Sequence, residues 1–106
     1  MLKIFNIGLF ALILAIFTAF ASSDVFAINA DIYEPDNNFA AANAIPTNGS
    51  LQHHSFHVTG DEDWIKFNVT NQAFYTIETT NLLNNADTFI FLYDSDGTTL
   101  IDSDDD

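Results

Sequence analysis

Asp87-Thr-Phe-Ile-Phe-Leu-Tyr-Asp-Ser-Asp-Gly97 is the stretch of sequence that decides the fold. Residues 88–93 are apolar on both faces of an extended chain, which is typical of a central strand in a sandwich. Asp94-Ser-Asp-Gly97 then has the composition of a tight turn. An EF-hand calcium loop is a poor alternative, because its glycine stands at the sixth position and Gly97 is only the fourth residue from Asp94. The stretch therefore predicts a buried β-strand that runs into a hairpin.

The segments before this stretch also repeat with a period of two rather than 3.6, which indicates strands. The predicted strands cover residues 50–58, 64–69 and 74–79, and turn residues separate them. Only residues 39–45 have a helix-forming composition, and Pro46 closes that stretch. The sequence therefore predicts an all-β chain with one short helical turn.

An aromatic residue at the start of a predicted strand has two interpretations. Trp64 follows an Asp-x-Asp segment, and its ring would suit a platform on which a sugar stacks. An aromatic residue in this position more often belongs to the core, since large aromatic side chains gain most when they are buried. We therefore interpret Trp64 and Phe67 as core residues.

The N-terminal segment has the composition of a secretory signal peptide. Lys3 precedes a long apolar run, and small-x-small cleavage points follow at Ala21 and Ala27. We prefer cleavage after Ala27, because it leaves a polar stretch between the apolar run and the cut. An uncleaved membrane anchor is the alternative, since the run approaches the roughly 18 to 20 residues that span a bilayer. The expected organisation is a signal peptide, residues 1–27, and an exported domain, residues 28–106, of a secreted protein that is extracellular or periplasmic.

The composition is strongly acidic and lacks cysteine. Fifteen Asp and Glu residues stand against two Lys and Arg residues, and there is no Cys. Such a surface repels nucleic-acid phosphates and anionic membranes, so neither is an expected partner. Carboxylates in loops favour hard cations such as Ca²⁺, although a solvated acidic surface or adaptation to salt would look similar. The terminal acidic residues 102–106 are predicted to form a solvated charge run.

Five motifs follow one another along the chain. They are Tyr33-Glu-Pro-Asp-Asn37, Asn48-Gly49, Gly60-Asp-Glu-Asp-Trp64, Tyr75-Thr-Ile-Glu-Thr79 and the stretch that ends in Gly97. In this order they resemble the bacterial pre-peptidase C-terminal domain and are similar to the collagen-binding modules of clostridial collagenases. The resemblance covers residues 31–106. It implies an antiparallel, jelly-roll-like β-sandwich without an active site. Because the family pattern continues past Asp106, we expect the sandwich to be incomplete at its C-terminal end.

The resemblance also implies a function. Members of this family are accessory modules, so we expect a non-catalytic accessory or attachment module of a secreted bacterial protein. Its partner would be an extracellular protein or polysaccharide, or a covalently attached secreted enzyme. Two alternatives are the N-terminal fragment of an exocellular peptidase or other enzyme, and a free-standing exported adhesin-like binding protein. No serine stands in a Gly-x-Ser-x-Gly motif and there is no cysteine, so we do not expect an enzyme.

A calcium site is the sharpest chemical hypothesis. Metal-binding members of the family place ligands at the positions that match Glu34, Asn37, Asp61 and Asp63, which are the candidate ligands here. Alternate residues of an extended loop point the same way, so Asp61 and Asp63 are able to converge on one ion. The alternative is that both aspartates only shape a tight turn.

The first of the five motifs departs from the family pattern. Family members carry a further acidic residue where this chain has Ile32, and Asp31 is expected to point to the other side. Asp36 or Asn37 is alternatively the cap of the short helical turn. These features weaken the hypothesis that the first motif, residues 33–37, supplies calcium ligands.

Three histidines suggest a zinc site. On the predicted strand, His53 and His57 share a face but lie about 13 Å apart at about 3.3 Å per residue. Two imidazoles so far apart do not reach one Zn²⁺ at about 2 Å, and His54 faces the other way. Zinc would need a bent strand or other ligands, so we interpret the three as partly exposed strand residues.

Overall fold

The computed structural model describes residues 3–7, 10–17, 29–83 and 86–105, the first two ranges by their backbone. Within these ranges the chain is built from strands and one short 3-10 turn, Phe39–Ala41. The strands are β1 (Lys3–Ile7), β2 (Phe10–Phe17), β3 (Asn43–Ala44), β4 (Glu62–Asn68), β5 (Ala73–Ile77), β6 (Thr88–Asp94) and β7 (Leu100–Asp105). The all-β prediction is confirmed.

The strands form two sheets. β1 pairs with β5 in a two-stranded sheet, and the five-stranded sheet has the order β3-β4-β2-β6-β7. All pairs are antiparallel except β3 with β4. β6 lies between two neighbours, as predicted for a central strand, and the tight turn after it leads into β7. The jelly-roll-like sandwich and its incompleteness stay predictions.

The predicted signal peptide overlaps the first two strands. β2 runs between β4 and β6, and its Ile13 is opposite Ile65 on one side and Leu92 on the other. The cleavage points after Ala21 and Ala27 lie outside the described residues, so the division at residue 27 stays a prediction. In the described ranges, no helix has the length and apolar character needed to cross a bilayer.

The five-stranded sheet buries side chains on both faces. On one face the buried residues are Phe67, Val69, Ile90 and Leu92, packed against Ile45, Tyr75 and Ile77. Since Tyr75 and Ile77 belong to β5, this cluster joins the two sheets. The other face buries Trp64, whose ring stacks on Tyr93 with 5.4 Å between centroids. Trp64 and Phe67 are thus core residues, as predicted.

The strand predicted over residues 50–58 is wrong, because residues 50–57 form no strand. Two of their backbone amides bond to carboxylates instead of to a neighbouring strand. The amide of Ser55 donates to Asp31, and the amide of His57 donates to Asp61 Oδ2 at 2.8 Å. The alternation of residues in this segment therefore does not indicate pairing with a neighbouring strand.

The acidic end of the chain also differs from its prediction. Residues 102–105 are the greater part of β7, where Asp102 is opposite Leu92 and Asp105 is opposite Phe89. The hairpin turn places this segment beside β6, so its backbone completes the sheet ladder. β7 is the last strand in the sheet order, and charged residues are common on such edges because they oppose pairing with a second molecule.

The short helical turn is confirmed, but its cap is not the predicted one. Asn38, rather than Asp36 or Asn37, has an extended backbone at the N-cap, and its side chain accepts from the amide of Ala41 at 3.2 Å. The side chain of Asp36 is thereby left for other contacts.

Candidate metal centre

Carboxylates and imidazoles from three loops meet beside the start of β4. We call this group the acidic cluster; it consists of Asp31, Glu34, Asp36, His54, His57, Asp61 and Asp63. Its members come from residues 31–36, 54–57 and 61–63, so no single motif contains them. The cluster exists because backbone contacts bring these loops together.

Hydrogen bonds from Trp64 and Ser55 fix the first loop. The amide of Trp64 donates to the carbonyl of Asp36 at 3.0 Å, which extends the ladder of β4 by one partner and places Asp36 next to Asp63. Ser55 holds the other end, because its amide donates to Asp31 and its hydroxyl donates to the carbonyl of Asn29 at 2.9 Å. The carboxylates of Asp31, Glu34 and Asp36 consequently lie near Asp63, at the start of β4.

A tight turn positions Asp61. The amide of Asp61 donates to the carbonyl of Val58 at 3.2 Å, and Gly60 has a φ of +79°, a conformation that glycine adopts without steric cost. The turn brings Asp61 Oδ2 to 2.6 Å from His57 Nδ1, which also lies 3.1 Å from Glu34 Oε1. This is the distance of an ion pair when the imidazole is protonated.

Asp36 and Asp63 are the innermost carboxylates. Their exposed fractions are 0% and 1%. Both oxygens of Asp63 and Oδ1 of Asp36 have no hydrogen-bond partner, whereas Oδ2 of Asp36 accepts from Asn43 Nδ2 at 3.3 Å. A buried polar atom without a partner costs about 1–3 kcal/mol, and more when it is charged. Two such groups side by side are unfavourable unless a cation or protons compensate them.

The electrostatics agree with that geometry. Burial, followed by repulsion from Asp36, Asp61, Asp31 and Glu34, raises the pKa of Asp63 to about 8. Burial also raises the pKa of Asp36, with His54 and Asn43 acting in the opposite direction. Carboxyl groups with raised pKa values hold protons when no cation neutralises them.

The predicted ligands are only partly brought together. Glu34 is shared by two candidate groups, one with Asp36 and Asp63 and the other with His57 and Asp61. Within each group one donor atom per residue lies within 4.8 Å of the others. Asn37 is exposed, and its side-chain nitrogen, in the orientation that satisfies its neighbours, is 2.7 Å from Asp61 Oδ1. The role of the four as metal ligands stays a prediction.

Sequence reasoning missed four members of the cluster, which are Asp31, Asp36, His54 and His57. The expectation that Asp31 points away is wrong, since one of its oxygens lies in a candidate group with His54 and Asp63. Asp31 accepts from the amide of Tyr33 at 2.8 Å, and this local turn redirects the side chain. The sequence did carry a signal for this turn, because an aspartate often accepts a hydrogen bond from the backbone amide two residues further on. For His54 there was none, because its segment was interpreted as a strand.

The histidines thus differ from their prediction as strand residues. His53 is exposed, whereas the side chains of His54 and His57 are only 9% and 23% exposed and lie among carboxylates. The other ligands that a zinc site would need are therefore carboxylates, and not a second histidine of one strand.

Comparisons with known proteins bear on part of the chain. No curated protein and no solved structure matches the chain. One family model does match: that of the bacterial pre-peptidase C-terminal domain, over residues 61–106. The matched range begins at Asp61 and includes Asp63, all of β4 to β7, and the hairpin turn. Domains of this family are non-catalytic accessory modules that occur in secreted bacterial proteins, at the C-termini of peptidases. Residues 61–106 thus match the family model of the bacterial pre-peptidase C-terminal domain, which confirms the resemblance over the range that the match covers.

Proposed function

We propose that this chain is a non-catalytic accessory or attachment module of a secreted bacterial protein, and that Ca²⁺ stabilises it. The family match over residues 61–106 supports the accessory role. The observation that carries the calcium part is the pair of buried, incompletely partnered carboxylates, Asp36 and Asp63.

Calcium suits the oxygen-rich side of the acidic cluster. Ca²⁺ takes six to eight oxygen ligands at about 2.3–2.6 Å, so two of its ligands lie no more than about 5 Å apart. Glu34, Asp36 and Asp63 offer oxygens within 4.8 Å of one another. Asp61 and Asn37 flank this group and complete the set of candidate ligands that the sequence predicted.

A bound ion would stabilise the fold by joining loops that are distant in sequence. It would tie residues 34–36 to residues 61–63 and compensate charges that otherwise repel one another. The chain has no cysteine, so no disulfide supplies such a tie. The module would then hold its shape outside the cell and present its surface to an extracellular protein or polysaccharide, or carry an attached secreted enzyme.

Thermal unfolding of the purified chain, with Ca²⁺ and with chelator, tests the proposal. A ligand that binds only the folded state at about 100 times its Kd adds about 2.7 kcal/mol of stability, so the midpoint should rise by several degrees. The increase should vanish in Asp63→Asn and persist in Asp96→Asn, a matched change at an exposed site.

An identical midpoint with Ca²⁺ and with chelator would contradict the calcium part. Cleavage of casein or collagen by the pure chain would contradict the non-catalytic part. The two parts therefore fail separately.

A further inference from the structure

We propose that His54 Nδ1, Asp63 and Asp31 form a nitrogen-containing site for a first-row transition metal, for which Zn²⁺ is the expected ion. One donor atom of each residue lies within 4.8 Å of the others. The site goes beyond the proposed calcium site, because it has a nitrogen ligand and selects a different class of metal. It shares Asp63 with that site, so the two metals should compete.

The tautomer of His54 is the first argument. Gln52 Nε2 donates to the carbonyl of Ala44 at 2.8 Å, which fixes the amide so that its oxygen faces the imidazole. That oxygen lies 3.2 Å from His54 Nε2, so Nε2 carries the proton. In the neutral ring Nδ1 is then unprotonated and directs its lone pair at the carboxylates. Metal-binding histidines are commonly held in this way by a hydrogen bond at the second nitrogen.

The distances are the second argument. His54 Nδ1 lies 3.5 Å from Asp36 Oδ2 and 3.7 Å from Asp63 Oδ2. Charge-assisted hydrogen bonds between nitrogen and carboxylate are about 2.7–2.9 Å long, so these pairs are too far apart for direct bonds. Two donors that each lie about 2.1 Å from one tetrahedral Zn²⁺ are separated by about 3.4 Å. The spacing fits donors around an ion better than donors bonded to each other.

Burial is the third argument. The side chain of His54 is 9% exposed and that of Asp63 is 1% exposed. His54 Nδ1 and both carboxylate oxygens of Asp63 have no hydrogen-bond partner. The imidazole stacks on Tyr33 with 4.7 Å between ring centroids and 23° between the planes. The stacked tyrosine fixes the plane of the ring, so Nδ1 keeps its direction towards the carboxylates.

His57 Nδ1 also has no hydrogen-bond partner, but it lies closer to its neighbouring carboxylates than His54 Nδ1 does. His57 Nδ1 lies 2.6 Å from Asp61 Oδ2 and 3.1 Å from Glu34 Oε1, which leaves less room for an ion between the atoms. No bond of the described residues fixes the proton on its other nitrogen in the way that Gln52 does for His54. The inference is therefore confined to His54.

Isothermal titration of the full chain with Zn²⁺, and separately with Ca²⁺, tests the inference. Zn²⁺ should bind with a stoichiometry near one, and His54→Ala should lower its affinity by at least the ten- to hundredfold that the loss of an outer-shell partner costs. Ca²⁺, which prefers oxygen, should bind His54→Ala about as well as the unaltered chain. His53→Ala is the control, because that neighbouring histidine is exposed and outside the candidate groups.

A second measurement needs no variant. In long-range ¹H–¹⁵N spectra of the unaltered chain, Zn²⁺ should shift His54 Nδ1 and leave Nε2 protonated. Unchanged Zn²⁺ affinity in His54→Ala, no Zn²⁺ binding at all, or a His54 resonance that Zn²⁺ does not move would each overturn the inference. Zn²⁺ binding without Ca²⁺ binding would support the inference and contradict the calcium proposal. Ca²⁺ binding without Zn²⁺ binding would support the calcium proposal and overturn the inference.

Discussion

Two Asp-x-Asp segments of this chain, residues 61–63 and 94–96, have the same spacing and opposite surroundings. Asp96 is exposed and accepts three bonds within its own turn, from the amides of Thr98 and Thr99 and from the Thr99 hydroxyl, at 2.8, 2.8 and 2.6 Å. Asp63 is buried and none of its oxygens has a hydrogen-bond partner. Hydrogen bonds from Thr99 and Thr98 lower the pKa of Asp96 to about 2, whereas burial and neighbouring carboxylates raise that of Asp63 to about 8.

The comparison separates two uses of one motif. Donors that lie within three residues in sequence satisfy the hairpin aspartate, so its turn is complete in itself. The aspartate of the cluster is surrounded by acceptors from other loops, which leaves it dependent on a proton or a cation. A short acidic motif therefore does not identify a metal site until the donors around it are known.

The largest expected effect is on the pH dependence of stability with chelator present. Below pH 3.8 Asp63 is protonated in both states; as the pH rises to about 8, only the unfolded state ionises, so the free energy of unfolding falls. We expect a loss on the order of a few kcal/mol across this window. Asp63→Asn should remove most of it in urea titrations at a series of pH values.

The hairpin provides the control for that experiment. The lowered pKa of Asp96 gives a contribution that is present above pH 3.8 and is lost as the pH falls towards about 2, so Asp96→Asn should change only the acidic end of the profile. If Asp63→Asn and the unaltered chain lose the same stability between pH 4 and about 8, the buried aspartate does not control this region.

An intermediate effect is expected from two matched glycine changes. Gly60 and Gly97 both have positive φ, +79° and +68°, and a left-handed conformation costs an alanine about 1–2 kcal/mol. A Cβ at Gly60 would meet nothing within 4 Å, whereas one at Gly97 would overlap the Phe39 ring. Gly97→Ala should therefore lower the free energy of unfolding more than Gly60→Ala in chemical denaturation. Equal losses would mean that the ring moves away freely.

The smallest effect concerns the hairpin bond itself. Thr99→Val removes the hydroxyl that donates to Asp96, so the carboxyl pKa should rise from about 2 towards 3.8 with little change in the unfolding midpoint. Carboxyl ¹³C shifts followed through an acid titration measure it. Thr80→Val, at an exposed threonine away from the hairpin, should leave the Asp96 titration where it is; an unmoved curve in Thr99→Val would show that the backbone donors suffice.

Local signals account for the parts of the fold that the sequence predicted. The strands at β4, β5 and β6, the turn that ends in Gly97, and the helical turn before Pro46 all depend on alternation or on turn residues within a few positions. Residues 50–57 carry the same alternation, but the amides of Ser55 and His57 donate to the carboxylates of Asp31 and Asp61 and not to a strand. Periodicity does not distinguish those two outcomes.

For the candidate site, too, the sequence predicted only the residues that stand in recognisable motifs. Glu34, Asp61 and Asp63 stand in motifs, and the structure places them in the acidic cluster. Asp31, Asp36, His54 and His57 were not foreseen as members. The positions of Asp36 and His54 follow from the bond between Trp64 and Asp36 and from the amide of Gln52, neither of which leaves a pattern in the sequence.

The position of β2 has a kinetic consequence. The β6–β7 hairpin closes through a turn of a few residues, and hairpins of this kind form in about 1–10 μs. β2 finds both of its neighbours in the second half of the chain, so the loops that it closes are long and their closure costs more entropy. In a chain that keeps residues 1–27, we expect the hairpin to belong to the folding nucleus and β2 to join afterwards. Until it does, β4 and β6 each have an open edge, and the unfinished sheet is the species most prone to aggregate.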